Sequence, residues 1–192
     1  AAVVALAGRQ HDFSGKRLLV MGGSLGAHAL NVHVCRHLDT LRAAGIEVRH
    51  QTGVRDEAAT REAYAAAGYD PACVSAFIDD MASAYAWADL VLCRAGATTV
   101  AELCAAGLPS VLVPFPYAVH DHQTRNAQAL VAEGAALMLP EARMESDGLM
   151  AQVTDLLQDT GRLRTMAAAA SGCARVRAAE LVAAELETVC AR

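Results

Sequence analysis

RLLVMGGSLGA, residues 17–27, is the stretch that decides the fold of this chain. Its first five residues form an apolar run, which is typical of a strand buried on both faces of a parallel sheet. The glycines that follow end the strand, and a helical pattern begins near Gly26. The segment LVLCRAGATTV at residues 90–100 has the same order of strand, small-residue loop and helix. Both segments are typical of the start of a βαβ unit.

The rest of the chain continues this alternation. Strands are predicted at residues 17–21, 46–50, 73–77, 90–93, 110–114 and 135–139. Helices are predicted at residues 26–44, 56–67 (with Asp56 as N-cap), 81–88, 98–106 and 122–133, and from residue 146 onward with a break near Thr160. This spacing predicts an α/β fold, a Rossmann-like doubly wound parallel sheet of strand order 3-2-1-4-5-6. We expect one domain at residues 17–192, a loose lead-in at residues 1–16, and ligands at the carboxyl ends of the strands.

The composition excludes several classes of protein. Of the 192 residues, 54% are hydrophobic and 19% are charged, and the formal net charge is −5. That charge argues against a nucleic-acid partner held by a general basic field. The six cysteines show no CxxC spacing, so we expect reduced thiols rather than a zinc or disulfide framework. No apolar run reaches the roughly 18–20 residues that span a bilayer, and residues 1–8 lack the basic start of a signal peptide.

Two loops rich in small residues have the character of phosphate sites. GGSLGA at residues 22–27 and RAGATTVAE at residues 94–102 each lead from a strand into a helix, whose free N–H groups favour an anion. Neither is a GxGxxG or P-loop motif. The first segment could equally be a tight turn between strand and helix that binds no ligand. In the second, Glu102 is either an acceptor for ribose hydroxyls or part of a capping box with Thr98 or Thr99.

Two further segments place polar groups at predicted helix starts. In FIDDM, residues 77–81, an apolar residue is placed to lie against a flat base, while Asp79 and Asp80 are expected to cap the helix. The histidines of HDHQTRN, residues 120–126, are spaced poorly for a metal site, so sugar recognition or a solvated helix start is favoured. The sequence contains no Asp-x-Asp motif. Helix N-termini rather than a metal ion would therefore stabilise a leaving pyrophosphate.

Taken in order, these segments resemble a known family. GGSLGA, FIDDM, AYAWADLVLCRAGATTVAEL and AAGLPSVLVPFPYAVHDHQTRNA closely resemble the C-terminal domain of the MurG glycosyltransferases, over about residues 17–190. The resemblance implies the GT-B fold, in which two Rossmann-like domains face each other across a cleft. It implies an inverting, metal-independent hexosyltransferase without a cofactor. Such an enzyme transfers N-acetylglucosamine from UDP-N-acetylglucosamine to lipid I, which forms lipid II for peptidoglycan.

The resemblance also implies the residues of a donor site. Ser24 would face the phosphates, Ile78 would bind uracil through its backbone with Met81 nearby, and Glu102 would hold the ribose hydroxyls. Gln123 would reach the sugar together with His122, which stands where relatives can carry Gln. The full expected set of donor-binding residues is Ser24, Ile78, Met81, Ala97, Thr98, Thr99, Val100, Ala101, Glu102, His122 and Gln123. No metal ligand and no catalytic residue is expected in this chain.

The resemblance covers one half of a two-domain enzyme. The acceptor domain, with the expected catalytic base, has no counterpart in the sequence, and neither does an Asn-Pro-Val-Arg stretch expected just before residue 17. We therefore expect a donor-binding fragment that is inactive alone. Its partners would be UDP-N-acetylglucosamine and, through the missing domain, lipid I and the cytoplasmic face of the bacterial inner membrane. Two alternatives stay open: a donor subunit of a split N-acetylglucosaminyltransferase, and a protein similar to UDP-N-acetylglucosamine 2-epimerases.

Overall fold

The computed structural model describes residues 2–9, 11–23 and 26–175. These residues form a six-stranded parallel sheet of order β3-β2-β1-β4-β5-β6, which confirms the predicted topology. The strands are β1 (Arg17–Met21), β2 (Glu47–Gln51), β3 (Val74–Ser75), β4 (Leu90–Cys93), β5 (Ser110–Leu112) and β6 (Ala136–Met138). The helices are α1 (His28–Arg36), α2 (Leu38–Ala43), α3 (Glu57–Ala66), α4 (Met81–Trp87), α5 (Ala97–Ala106), α6 (His122–Ala132), α7 (Leu149–Gln158) and α8 (Thr160–Gly172).

The core lies on both faces of the sheet because successive side chains of a strand point to opposite sides. In β1, Leu18 and Val20 pack with apolar side chains of α1, α3 and α7. Leu19 and Met21 pack on the other face, with side chains of α4, α5 and α6. Burial of each leucine side chain stabilises the folded state by roughly 1.5–3 kcal/mol relative to leaving it exposed. The two central strands, β1 and β4, are therefore held from both sides.

Two predicted elements differ from the structure. The helix predicted at residues 26–44 is interrupted at His37, which separates α1 from α2. There the N–H of His37 bonds to the carbonyl of Val34, three residues back, so the turn tightens. The third strand is only two residues long rather than five, because β3 is an edge strand that pairs with β2 alone.

Parts of the N-terminal segment pack against the domain, although most of residues 2–9 are exposed. A 3₁₀ turn at Val3–Leu6 lies against α4 and α5. Phe13 is buried in the core cluster that includes side chains of α1, α3 and α7, and His11 Nε2 lies 3.1 Å from the carbonyl oxygen of Ala106. The division into a lead-in at residues 1–16 and a domain at residues 17–192 therefore stays a prediction, although Val3, Leu6 and Phe13 pack against the domain.

The described part of the chain also bears on the cysteines and on membrane spans. Cys93 and Cys104 are buried, and Cys35, Cys73 and Cys173 are partly buried, each as a free thiol. Cys190 lies outside the described residues. Within those residues, none of the helices combines the length and apolar character needed to cross a bilayer.

A buried polar network ties α1 and α3 to the end of β2. Fully buried His50 places its Nε2 3.1 Å from Asn31 Oδ1 and its Nδ1 3.0 Å from the hydroxyl of Tyr64. The amide group of Asn31 donates both of its hydrogens, one to the carbonyl oxygen of Thr52 and one to Asp56. Its oxygen must then accept from His50 Nε2–H, so Tyr64 donates to Nδ1 and the neutral ring is satisfied. Asp56 accordingly serves this network and makes no side-chain cap for α3, contrary to the prediction.

This network makes stability depend on pH. Burial lowers the pKa of His50 to about 3, whereas in the unfolded chain it is about 6.5. Below pH 6.5 the unfolded chain therefore binds a proton that the folded chain does not. The free energy of unfolding is therefore expected to decrease as the pH is lowered, by about 2 kcal/mol from pH 7 to pH 5. Urea unfolding at the two pH values measures it. In His50→Gln the difference should shrink to what the other groups contribute, and an unchanged difference would contradict this assignment.

Candidate active site

A cleft opens at the carboxyl ends of β1 and β4, where the strand order reverses. The chain proceeds from β1 outward to β3 and then returns to the other side of β1 to form β4, so the loops after β1 and β4 diverge and leave a crevice. Its volume is about 420 Å³. A larger groove of about 810 Å³ lies along the sheet edge near Trp87, but neither glycine-rich loop contributes to it. Residues of both loops line the smaller cleft, which is therefore the candidate site.

The glycine-rich loop after β1 forms one wall and is held in place by Gln51. The Gln51 side-chain oxygen accepts from the N–H of Gly23 at 3.1 Å, and its amide group donates to the carbonyls of Gly23 and Ala76 at 3.0 and 2.8 Å. Gly26 has φ +74°, and a Cβ there would lie 2.6 Å from the carbonyl oxygen of Thr52. Only glycine fits this position without strain. The predicted site residue Ser24 lies outside the described residues.

The N-terminus of α5 forms the opposite wall. Gly96 is the N-cap residue, and no side chain caps the helix. The capping interpretation for Thr98, Thr99 and Glu102 is therefore wrong, because Glu102 is the sixth residue of the helix rather than the third. The N–H groups of the first turn, on Ala97 to Thr99, have no partner within the helix. They give this end of α5 the partial positive charge that favours an anion.

Glu102 lines the cleft and is held there by Tyr85. The fully buried hydroxyl of Tyr85 donates to Glu102 Oε2 at 2.9 Å. Burial raises the pKa of Tyr85 far above its usual value, so the phenol stays protonated and remains a donor. Within the described part of the chain, Glu102 Oε1 accepts no hydrogen bond. The carboxylate thus has a fixed orientation and one free acceptor oxygen beside the helix N-terminus.

The connection from β3 to α4 supplies the apolar part of the cleft. Ile78 and Met81 line it together with Phe77, which is exposed. Asp80 caps α4, as expected, by accepting from the N–H of Ser83 at 3.0 Å. Burial of these apolar side chains against a flat ring is favourable. The arrangement suits a planar base.

The start of α6 contributes Gln123. Its side-chain oxygen accepts from the N–H of Phe115 at 2.9 Å and from that of Ala95 at 3.3 Å. The amide is therefore oriented with its NH₂ group, a donor, left to face a ligand. His122 is exposed, and its Nδ1 lies 2.8 Å from the carbonyl oxygen of Val119. His120 and His122 do not form a metal-binding group within the described residues.

The structure brings five of the predicted residues into the cleft and leaves others outside it. The five are Ile78, Met81, Thr99, Glu102 and Gln123. Thr98, Val100 and Ala101, with Ala97, line a second cavity beside α5, which Glu102 also lines. Their assignment to the donor stays a prediction, as does that of His122.

Sequence reasoning missed Arg94 and Gln51. The Arg94 guanidinium donates to the carbonyls of Val113 and Pro114, at 3.1 and 3.3 Å, and pairs with Glu141. These contacts fix the loop after β5 at the edge of the cleft. Arg94 stands within the quoted RAGATTVAE segment, but its partners lie 19 or more residues away, so no local pattern announces its role.

The model of the glycosyltransferase family 28 C-terminal domain matches residues 17–182. The chain belongs to this family. A relative named UDP-N-acetylglucosamine--N-acetylmuramyl-(pentapeptide) pyrophosphoryl-undecaprenol N-acetylglucosamine transferase, from Nitratidesulfovibrio vulgaris (strain DP4), is 55% identical over 167 residues. That match covers 87% of the chain and 46% of the relative. A relative of the same name from Lawsonia intracellularis is 51% identical, over 90% of the chain and 48% of its own length.

Solved structures agree. The crystal structure of Acinetobacter baumannii MurG matches with a TM-score of 0.80 and 38% identity, over 93% of the chain and 51% of that structure. The calicheamicin glycosyltransferase CalG4 has a TM-score of 0.59 at 23% identity, over 90% of the chain and 43% of that structure, a likeness in fold. The chain thus spans about half the length of the curated relatives it matches. The family 28 domain therefore has the GT-B type of α/β sheet that the sequence predicts.

Proposed function

We propose that this domain binds UDP-N-acetylglucosamine as the donor half of an N-acetylglucosaminyltransferase that converts lipid I to lipid II. The observation that carries the proposal is the Glu102 carboxylate. It is oriented by a buried tyrosine and lies in a cleft between a glycine-rich loop and an uncapped helix N-terminus. The family and the names of the relatives support this substrate.

Each wall of the cleft suits one part of the donor. The uracil packs against Ile78 and Met81, and the pyrophosphate takes hydrogen bonds from the first turn of α5 and the loop at residues 22–27. Glu102 accepts from the ribose hydroxyls, and each such bond to a charged acceptor is worth roughly 1.5–3 kcal/mol. The NH₂ group of Gln123 donates to a sugar oxygen.

The same features account for the chemistry that we propose. When the acceptor hydroxyl displaces UDP with inversion, negative charge grows on the pyrophosphate. Oriented N–H groups at the start of α5 stabilise that charge without a metal ion. We assign no catalytic base to this chain. In the proposed enzyme, the acceptor and the contact with the cytoplasmic face of the inner membrane belong to a second domain.

The isolated 192-residue chain is expected to bind UDP and UDP-N-acetylglucosamine weakly and to transfer nothing. The described residues include the groups named above for the donor except those of residues 24 and 25, and we assign no acceptor site to them. Calorimetric titration with UDP, UDP-N-acetylglucosamine and, as a control, GDP measures the first part. A transfer assay with a lipid I analogue measures the second. Robust turnover by the chain alone would contradict the division of roles, and equal affinity for GDP would contradict the base site.

The same titration in the presence of EDTA tests the proposal that donor binding needs no metal ion. Because helix N–H groups hold the phosphates, the dissociation constant for UDP should stay within about twofold. A large loss of affinity that Mg²⁺ or Mn²⁺ restores would contradict this and make His120 and His122 candidates for ligands again.

A further inference from the structure

A second cluster of titratable side chains lies away from the cleft and has no part in the proposed function. His33 is in α1, His37 is at the junction of α1 and α2, and Glu145 precedes α7. One ligand atom from each of the three side chains lies within 4.8 Å of the other two. They line a groove of about 750 Å³, and none of them lines the donor cleft.

His33 lacks the partners that a buried imidazole needs. The residue is only 5% exposed, and its Nε2 is buried without a hydrogen-bond partner. The other nitrogen, Nδ1, lies 3.4 Å from Glu145 Oε2, whose side chain is 74% exposed. A buried polar atom without a partner is costly and rare in folded proteins. Nδ1, which lies beside Glu145, is therefore the nitrogen of this ring that can share a ligand with Glu145.

His37 is oriented as a metal ligand is. Its Nδ1 lies 2.9 Å from the carbonyl oxygen of His33 and donates to it. That bond fixes the ring and leaves the lone pair of Nε2 available, which is the usual arrangement in which a backbone carbonyl orients a metal-bound histidine. Histidines four residues apart present their rings on one face of a helical turn, and here the ring centroids are 4.6 Å apart.

The spacing fits a small tetrahedral ion. With bonds of about 2.1 Å, tetrahedral zinc holds its ligand atoms about 3.4 Å apart. The His33–Glu145 separation of 3.4 Å has this value already, and the ligand atom of the partly buried His37 lies within 4.8 Å of the other two. We propose that His33, His37 and Glu145 bind one zinc ion, with water completing the coordination.

The ion would join two elements that are distant in sequence. Its ligands come from residues 33–37 and residue 145, so it links the α1–α2 junction to the segment that enters α7. Because the folded chain presents the three ligands together and the unfolded chain does not, zinc should stabilise the fold. Zinc should leave UDP binding unchanged, because no ligand lines the cleft.

The test is titration of the metal-free chain with ZnCl₂ by calorimetry, alongside melting curves. We expect one site, a rise in melting temperature with zinc, and at least a 100-fold loss of zinc affinity in His37→Ala. Glu145→Gln should lose about 10-fold. His37→Ala is the main variant because His37 is only partly buried, so its loss should leave the fold intact. Circular dichroism checks this. His33→Ala is the second variant.

The control is His120→Asn/His122→Asn, which removes two exposed histidines at the start of α6 and should retain zinc affinity. Cobalt in place of zinc should show no thiolate charge-transfer absorption, since the ligands are nitrogen and oxygen. The proposal is overturned if zinc does not bind, if binding survives in His37→Ala, or if the cobalt spectrum shows thiolate ligation.

Discussion

Replacing Glu102 with alanine is expected to weaken UDP binding by about 30- to 1,000-fold, which corresponds to roughly 2–4 kcal/mol. The carboxylate is the group that we assign to the ribose hydroxyls, because Glu102 lines the cleft and Tyr85 occupies only its Oε2. Calorimetric titration of the wild-type chain and of Glu102→Ala with UDP and with 2′-deoxy-UDP measures the effect. The variant should no longer distinguish the two nucleotides.

Two further variants separate recognition from stability. Glu102→Gln keeps one acceptor oxygen and should lose less affinity. Tyr85→Phe keeps the ring but loses the hydroxyl that orients the carboxylate, so it should bind UDP more weakly than wild type while still discriminating against 2′-deoxy-UDP. Melting curves check that each variant is folded. If Glu102→Ala discriminates between the nucleotides as wild type does, Glu102 does not contact the ribose and the donor assignment loses its main support.

Gly26→Ala is expected to lower the free energy of unfolding by about 3 kcal/mol and to weaken UDP binding at least tenfold. About 1–2 kcal/mol comes from a left-handed backbone in a residue with a side chain. The rest comes from the new Cβ, which would lie 2.6 Å from the carbonyl oxygen of Thr52 and must push the loop or β2 aside. Urea unfolding and UDP titration measure the two effects.

Gly23→Ala is the matched control for this prediction. Gly23 has nearly the same φ, +75°, but nothing lies within 4 Å of the position that its Cβ would take. Its replacement should therefore cost only the backbone term, about 1–2 kcal/mol. Equal destabilisation by the two substitutions would show that the close approach of Gly26 to Thr52 is unimportant.

The centre of the fold could be predicted from the sequence because its signals are local. The bounds of β1 and β4 agree with the prediction to the residue, since strands buried on both faces are continuous apolar runs, which end here at Gly22 and at Arg94. The edge strand β3 was predicted too long. Pairing on one side alone allows a strand to end early, and no residue type marks that point.

The site was only partly predictable for a related reason. Glu102, Ile78 and Gln123 could be found because they belong to short segments that resemble a family. Gln51 and Arg94 could not, because each acts on backbone groups that are distant along the chain. Asp56 illustrates the same limit. It was predicted to cap α3, but its side chain accepts a hydrogen bond from Asn31, 25 residues away.

The pairing of β1 with β4 has a consequence for how the domain responds to its ligand. The glycine-rich loop follows β1 and helix α5 follows β4, and these strands are paired at four successive positions in one continuous sheet. The two walls of the cleft therefore cannot swing apart or close as separate rigid bodies. Accommodation of a nucleotide within this domain is confined to side chains and loop tips, and domain closure requires an axis outside the sheet.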